Sequence, residues 1–288
     1  MAHPSVDELK PLTQPHRKPP LNAPAAKTSS RPLALVTGAS SGIGLHIASE
    51  LAALGHDLVL VARSQRALDE LAQTLSQRHG IQAYVRAMDL SLPDAADQLA
   101  AWLDAQALPV DVLVNNAGFG LYGPHAQADL AEEQQMIQVN ITTLTRLTKL
   151  LLPGMLARRR GQVMNVASTA SFQPGPYMAV YYATKAYVLS YSEALAEELR
   201  GSGITVTALC PGPTTSGFQD KAAMHDSALV KGRRLPTSEE VAAYGVKAMR
   251  RGQRVAIHGV MNWLMAQSVR FTPRALVTRV VALMSRPV

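Results

Sequence analysis

One cysteine, Cys210, stands in 288 residues, so no internal disulfide can form, which fits a reducing compartment. Nowhere do 18 apolar residues run together, which leaves no stretch long enough to cross a bilayer as a helix. The opening MAHPSVDELKPLTQPHRKPP has no apolar stretch after its first basic residue and does not read as a signal peptide. No internal repeat is apparent. These absences set the expectation of a soluble cytoplasmic protein. Charge is sparse at 17%, against 47% hydrophobic residues, enough to build a core and exclude wholesale disorder. The length is near the upper limit for one hydrophobic core, and a single domain is expected.

Acidic residues are missing from Lys247 to the end, a stretch with eight basic side chains. Residues 1–31 add five basic side chains against Asp7 and Glu8. The net charge of +7 therefore sits at the two ends, with a net acidic middle, and a nucleic-acid-binding domain is a poor reading. Metal ligands are also wanting: His46 and His79 fall on separate predicted helices without companions, so no metal site is expected.

Seven of the 18 prolines lie in the first 32 residues, and residues 1–31 read as a disordered Pro-rich tail. From residue 32 to 259 short apolar runs alternate with longer amphipathic stretches. LALVTG (33–38), HDLVLVAR (56–63), IQAYVRAMDL (81–90), VDVLVNNAG (110–118), GQVMNVAS (161–168), ITVTALCP (204–211) and QRVAIHG (253–259) read as seven strands. Helices are expected between them, including IGLHIASELAALG (43–55) ending at a glycine, one from about 130 to 157, and one from 179 to 200. The alternation predicts an α/β fold: a single Rossmann-type, doubly wound domain with about seven parallel strands flanked by helices on both faces. Residues 260–288 form an apolar and basic helical extension.

Directly after the first strand comes TGASSGIG, with Gly38, Gly42 and Gly44 around Ser40, Ser41 and Ile43. Glycines at a strand-to-helix turn let the backbone approach a pyrophosphate, which rests on the helix amino terminus. At the end of the second strand a carboxylate would accept from the 2′-hydroxyl of NAD. Here the corner is Ala62-Arg63, and a guanidinium pairs instead with a 2′-phosphate. NADP(H) is favoured over NAD(H).

These elements, with Asp89, NNAG (115–118), Asn140, Ser168, YYATK (181–185) and PGPT (211–214), resemble the short-chain dehydrogenase/reductase family from about Arg31 to Gly259. The resemblance implies that Asp89, with Leu90, contacts the adenine and that Asn116, Ala117 and Gly118 close over the adenosine ribose. Pro211, Gly212 and Thr214 would hold the nicotinamide end. It implies a catalytic group of Asn140, Ser168, Tyr181 and Lys185, with Tyr181 and Lys185 also touching the cofactor, and a homodimer or homotetramer built on the helices at 130–157 and 179–200.

The chemistry supports such a group. Hydride addition to a carbonyl creates an alkoxide that needs a proton donor and a hydrogen-bonding group at the developing charge. A lysine ammonium one helical turn from a tyrosine, together with the oxidised nicotinamide, would lower the phenol's pKa. Ser168 can donate to the carbonyl oxygen, and by resemblance Asn140 holds a water linking Lys185 to solvent. Helical spacing alone leaves Tyr181 and Tyr182 equally placed toward Lys185. The family pattern Tyr-x-Ala-Ser/Thr-Lys selects Tyr181.

Substrate is expected to meet Ser168, Tyr181, Phe119 and Ala170, between walls from Phe119 and Leu121, residues 170–178, and the long segment 215–235, read as a lid. These walls are largely apolar, which points to a small hydrophobic carbonyl or alcohol. The carboxyl-terminal extension has two readings, a closing helix over the pocket or a neighbouring subunit, and peripheral contact with an anionic membrane. The activity expected is an NADP(H)-dependent carbonyl reductase or alcohol dehydrogenase. A non-catalytic NADP(H) sensor is the alternative class, and nucleotide-sugar epimerisation a weaker one.

Overall fold

The run LALVT is buried at all five positions and forms β1 (Leu33–Thr37) at the middle of the sheet. The computed structural model describes residues 31–215 and 235–286. After β1 come α1 (Gly42–Ala53), β2 (Asp57–Ala62), α2 (Gln65–His79), β3 (Ala83–Ala87), α3 (Ala95–Ala105) and β4 (Val112–Asn115). The second half holds α4 (Leu130–Ile137), α5 (Leu144–Arg158), β5 (Gly161–Val166), α6 (Ala179–Glu198), β6 (Ile204–Cys210), α7 (Ser238–Arg250) and β7 (Val255–Ile257). Two further helices, α8 (Val260–Ser268) and α9 (Arg274–Ser285), close the chain.

All seven strands are parallel, in the order β3-β2-β1-β4-β5-β6-β7. The direction of winding reverses between β1 and β4, and a crevice opens beyond the carboxyl ends of strands at such a point. Successive strand residues face opposite sides of a sheet. Val36, Leu58 and Leu60 accordingly pack with α1, α2 and α7 through Ile47, Leu68 and Val241. Leu35, Val59 and Val61 pack with α3, α5 and α6 through Leu99, Leu147 and Leu195. Burial on both faces is why these strands read as continuous apolar runs rather than alternating ones.

The expected helix at 130–157 is divided. Between α4 and α5 the backbone widens into a π turn, Gln138–Thr143. A π turn adds a residue to the helical register and rotates the helix beyond it. Asn140 lies within it, 1% exposed, with its amide directed inward. The expected tail lies outside the described residues apart from Arg31, whose guanidinium donates to the Gly80 carbonyl. Residues 216–234, most of the expected lid, also lie outside them.

At the amino-terminal ends of the central strands β1 and β4, remote from the crevice, buried Asp111 accepts from the Leu33 amide (3.2 Å) and pairs with Arg160 (3.0 Å) and Arg158 (3.6 Å). Asp111→Ala strands the Leu33 amide and removes two partly exposed pairs, for an expected loss of about 2 kcal/mol. Urea unfolding measures it, and an unchanged midpoint would make the cluster ornamental.

Candidate active site

The crevice is a cavity of about 1210 Å³. Its floor at one end is the turn from β1 into α1, where Gly38, Ser40, Ser41, Gly42 and Ile43 line the wall. Gly38 has φ +67°, a left-handed conformation that favours glycine, and a Cβ there would meet Asn116 Nδ2 at 2.8 Å. Thr37 Oγ1 accepts from the amides of Asn116 and Ala117, both at 3.0 Å, while Asn116 Nδ2 donates to the carbonyls of Thr37 (3.0 Å) and Gly38 (3.1 Å). NNAG is thereby stitched to the glycine-rich turn across the switch point.

Arg63, exposed at the end of β2, shares this wall with Asp89. Asp89 Oδ1 accepts from the Ser91 amide (2.9 Å) and hydroxyl (2.8 Å). The Ser91 amide bond first, then the Ser91 hydroxyl and the field of Arg63, hold the Asp89 carboxyl below its ordinary range despite partial burial. A carboxylate and a guanidinium thus face one end of the cavity, where Leu90 also lines the wall.

Farther along, Ser168 follows two residues after the end of β5, and α6 brings Tyr181 and Lys185 one turn apart. The Tyr181 phenol lies within the hydrogen-bonding influence of the Ser168 side chain, whose Oγ also accepts from the Ala170 amide (3.1 Å). Tyr182 instead directs its phenol toward Ser285 at the end of α9, its ring edge-on to Tyr181 at 6.1 Å. Of the two tyrosines that helical spacing leaves equivalent, the geometry joins Tyr181 to Ser168. Lys185 Nζ donates to the Val166 carbonyl (2.8 Å) and sits 5.9 Å from the Tyr181 ring centre.

Burial dominates both ionisable groups. It pushes the Tyr181 phenol well above its ordinary value of 10, with the Ser168 hydrogen bond acting the other way. It also pulls the Lys185 ammonium down to about 8. Desolvation of the phenol sets the direction in the polypeptide, so the lowering expected of Lys185 together with the oxidised nicotinamide does not come from the chain alone. Cys210, beside Lys185, is a buried thiol pushed up to about 12 and is inert as a nucleophile.

The family pattern for short chain dehydrogenases matches residues 32–226, more than half of the chain. The chain belongs to the short chain dehydrogenase family. It is 35% identical over 182 residues to the very-long-chain 3-oxoacyl-CoA reductase of Rattus norvegicus, a match covering 62% of this chain and 58% of that one. The match thus spans less than two thirds of that relative. Among solved structures it resembles a short-chain dehydrogenase from Sphingobium yanoikuyae in complex with NADPH, at 33% identity and TM-score 0.75, covering 83% of this chain and 94% of that one. It also resembles the bulky-bulky ketone specific alcohol dehydrogenase from Comamonas testosteroni, at 29% identity and TM-score 0.72, covering 84% and 93%.

In this dehydrogenase most of the predicted site residues meet in one cavity: besides those above, Gly118, Phe119, Ala170, Pro211, Gly212 and Thr214 line it. Two do not reach its surface. Gly44 packs inward, where a Cβ would meet the Gly38 carbonyl oxygen at 2.3 Å. Asn140 sits behind the wall, its Oδ1 accepting from the Phe119 amide (3.2 Å) and its Nδ2 donating to the Phe119 carbonyl and Thr184 Oγ1 (both 3.0 Å). Its amide N–H groups are occupied, so any water relay would draw on its oxygen atoms.

A dinucleotide fits what is present. Ser41 makes no side-chain capping bond at the head of α1, and Gly42 and Ile43 line the cavity there, so the helix start offers a partial positive charge suited to a pyrophosphate. Ser40, Ser41, Gly42 and Ile43 would hold the phosphates, Arg63 and Asp89 the adenosine end, and Pro211, Gly212 and Thr214 the nicotinamide end. Among the described residues no group of three metal-ligating side chains occurs.

The main addition to the sequence reading is the carboxyl-terminal wall. Met261, Met265, Val269, Leu276, Val280 and Met284 line the cavity, so α8 and α9 cover it as the closing-helix reading expected. Val277 and Val281 pack with Met136, Met178 and both tyrosines. Spacing of apolar residues within 274–285 marks a buried stripe, but nothing in it specifies which surface that stripe covers.

Proposed function

We propose that this protein is an NADP(H)-dependent reductase of a hydrophobic carbonyl compound, with Tyr181 as the proton donor. The observation that carries the reading is one continuous cavity, running from the glycine turn and Arg63, past Ser168, Tyr181 and Lys185, to a wall of methionine, leucine and valine side chains. At about 1210 Å³ it exceeds the roughly 1,000 Å³ upper end of ordinary small-molecule pockets, leaving room for a second reactant beside a dinucleotide. The NADPH complex of the Sphingobium yanoikuyae relative supports the cofactor.

When bound, the reduced nicotinamide supplies the hydride. The chain does the rest. Ser168 and Tyr181 present hydroxyl groups to one carbonyl oxygen, which orients the substrate and stabilises its developing charge. The raised pKa keeps Tyr181 protonated at neutral pH, ready to give its proton to that oxygen. Lys185 holds a nearby proton for resupply. The apolar wall excludes water and takes the substrate's body. The relatives named for a very-long-chain 3-oxoacyl-CoA and for bulky-bulky ketones support a long or broad apolar substituent.

The test is NADPH and NADH consumption with a panel holding 3-oxoacyl thioesters of increasing chain length, bulky ketones and small polar aldehydes. Turnover should favour the large apolar members and NADPH, and Arg63→Gln should weaken NADPH affinity roughly ten- to a hundred-fold by removing a charge-assisted contact. Faster wild-type turnover with NADH would remove the 2′-phosphate assignment.

The reduction should also respond to pH with a definite sign. Lys185 is charged below about 8 and neutral above it. The rate of carbonyl reduction should hold steady from neutrality toward pH 8, then fall as the ammonium is lost. A profile still rising through pH 9 would show that Lys185 need not be charged.

A further inference from the structure

The outer face of the carboxyl-terminal segment is apolar where a surface helix is ordinarily polar. Phe271, in the turn between α8 and α9, is 88% exposed, Val260 77%, Met261 67% and Leu283 62%. On α9, Leu276, Val280 and Leu283 recur at helical spacing as an exposed stripe, while Val277, Val281 and Ser285 on another side are buried. Contiguous apolar patches of this kind mark a site of interaction.

Four exposed arginines, Arg270, Arg274, Arg279 and Arg286, accompany the stripe. None forms an ion pair among the described residues. The chain has no acidic residue from Lys247 to its end. We propose that this face, α8 with the Phe271 turn and α9, docks on an anionic lipid surface. Phe271 and the leucines would enter the headgroup boundary while the arginines meet lipid phosphates, the arrangement of a helix that lies in a membrane interface.

Charge decides between lipid and a second copy of the chain. A two-fold contact sets a patch against itself, so these arginines would face their own counterparts, and the stretch from Lys247 onward has no carboxylate to set against them. An anionic bilayer supplies the opposite charge along the whole face.

The location adds a consequence. Met261, Met265, Leu276 and Val280 are exposed and also line the cavity, so the docking face is the cavity's rim. A lipid-soluble carbonyl compound could pass from the bilayer into the pocket without crossing water. The docking itself does not depend on which compound is reduced.

The experiment is flotation of the full chain with vesicles of phosphatidylcholine alone and of phosphatidylcholine mixed with phosphatidylglycerol, at low and high salt. Binding should appear on the anionic vesicles and weaken with salt. Each arginine removed should cost roughly five-fold in binding, so Arg274→Gln with Arg279→Gln lowers it about twenty-five-fold. Phe271→Ser should reduce it further. NADPH titration, read by fluorescence, checks each variant's fold, since none of these residues lines the cavity. Equal binding to neutral and anionic vesicles, or undiminished binding by the double variant, overturns the proposal. So does a dimer in solution that Phe271→Ser dissociates, which would assign the face to a second copy. Failure of the wild type to bind NADPH would count against the proposed activity and leave the vesicle result standing.

Discussion

Tyr181→Phe should lower turnover roughly a thousand-fold while leaving NADPH affinity within a factor of a few, the size of effect expected when a general acid is removed. The ring is buried among Met136, Ala170 and Met178, and phenylalanine fills the same space. Only the hydroxyl that meets Ser168 is lost. Steady-state kinetics beside a cofactor titration separates the two effects. A variant retaining a tenth of wild-type activity would place the proton donor elsewhere. Tyr182→Phe is the natural control, because its hydroxyl faces Ser285 on α9 rather than Ser168. It should alter substrate affinity before it alters the chemical step.

Gly44→Ala should be nearly as damaging by a different route. Its Cβ would lie 2.3 Å from both the Gly38 carbonyl oxygen and Asn116 Nδ2, and 2.9 Å from the Gly38 carbonyl carbon. Backbone atoms cannot swing aside as the end of a flexible side chain can, so the turn must open. That displaces the amides at the start of α1 and breaks the Asn116 bonds that tie β4's loop to β1. A cost of about 1–3 kcal/mol in stability is expected from such overpacking. NADPH affinity should fall at least as steeply, read by calorimetric titration. Gly55, beyond the carboxyl end of α1 and with open space around its Cβ position, serves as the contrast. Gly55→Ala should cost stability only through its positive φ and leave cofactor binding intact.

Much of this architecture was legible in the sequence, because parallel strands buried on both faces leave unbroken apolar runs such as LALVT and DLVLVA. The glycine turn was legible for a related reason, since few other residues tolerate that backbone there. What could not be read was local register and side-chain direction. The helix expected from 130 to 157 carries helical spacing throughout, and its π turn coincides with the tertiary contacts of Asn140 with Phe119 and Thr184. Gly44 looked like a phosphate contact because it belongs to the motif, although it serves the turn's packing. Tyr181 and Tyr182 were equivalent toward Lys185 by spacing alone. Their partners, Ser168 on one side and Ser285 on the other, lie on distant segments.

The parallel register has a consequence for how the chain reaches this state. Every strand pair is joined through a crossover, and the one at the switch point is among the longest: Leu33 and Asp111, bonded at its base, are 78 residues apart. During synthesis β1 can meet β2 early, but its other edge stays bare until β4 has left the ribosome. A five-residue apolar strand with an open edge is a template for pairing with a neighbouring chain. Loop closure over such distances is slow compared with helix formation. The crevice between β1 and β4 is thus a late product of folding, and until then the bare edge of β1 stays open to such pairing.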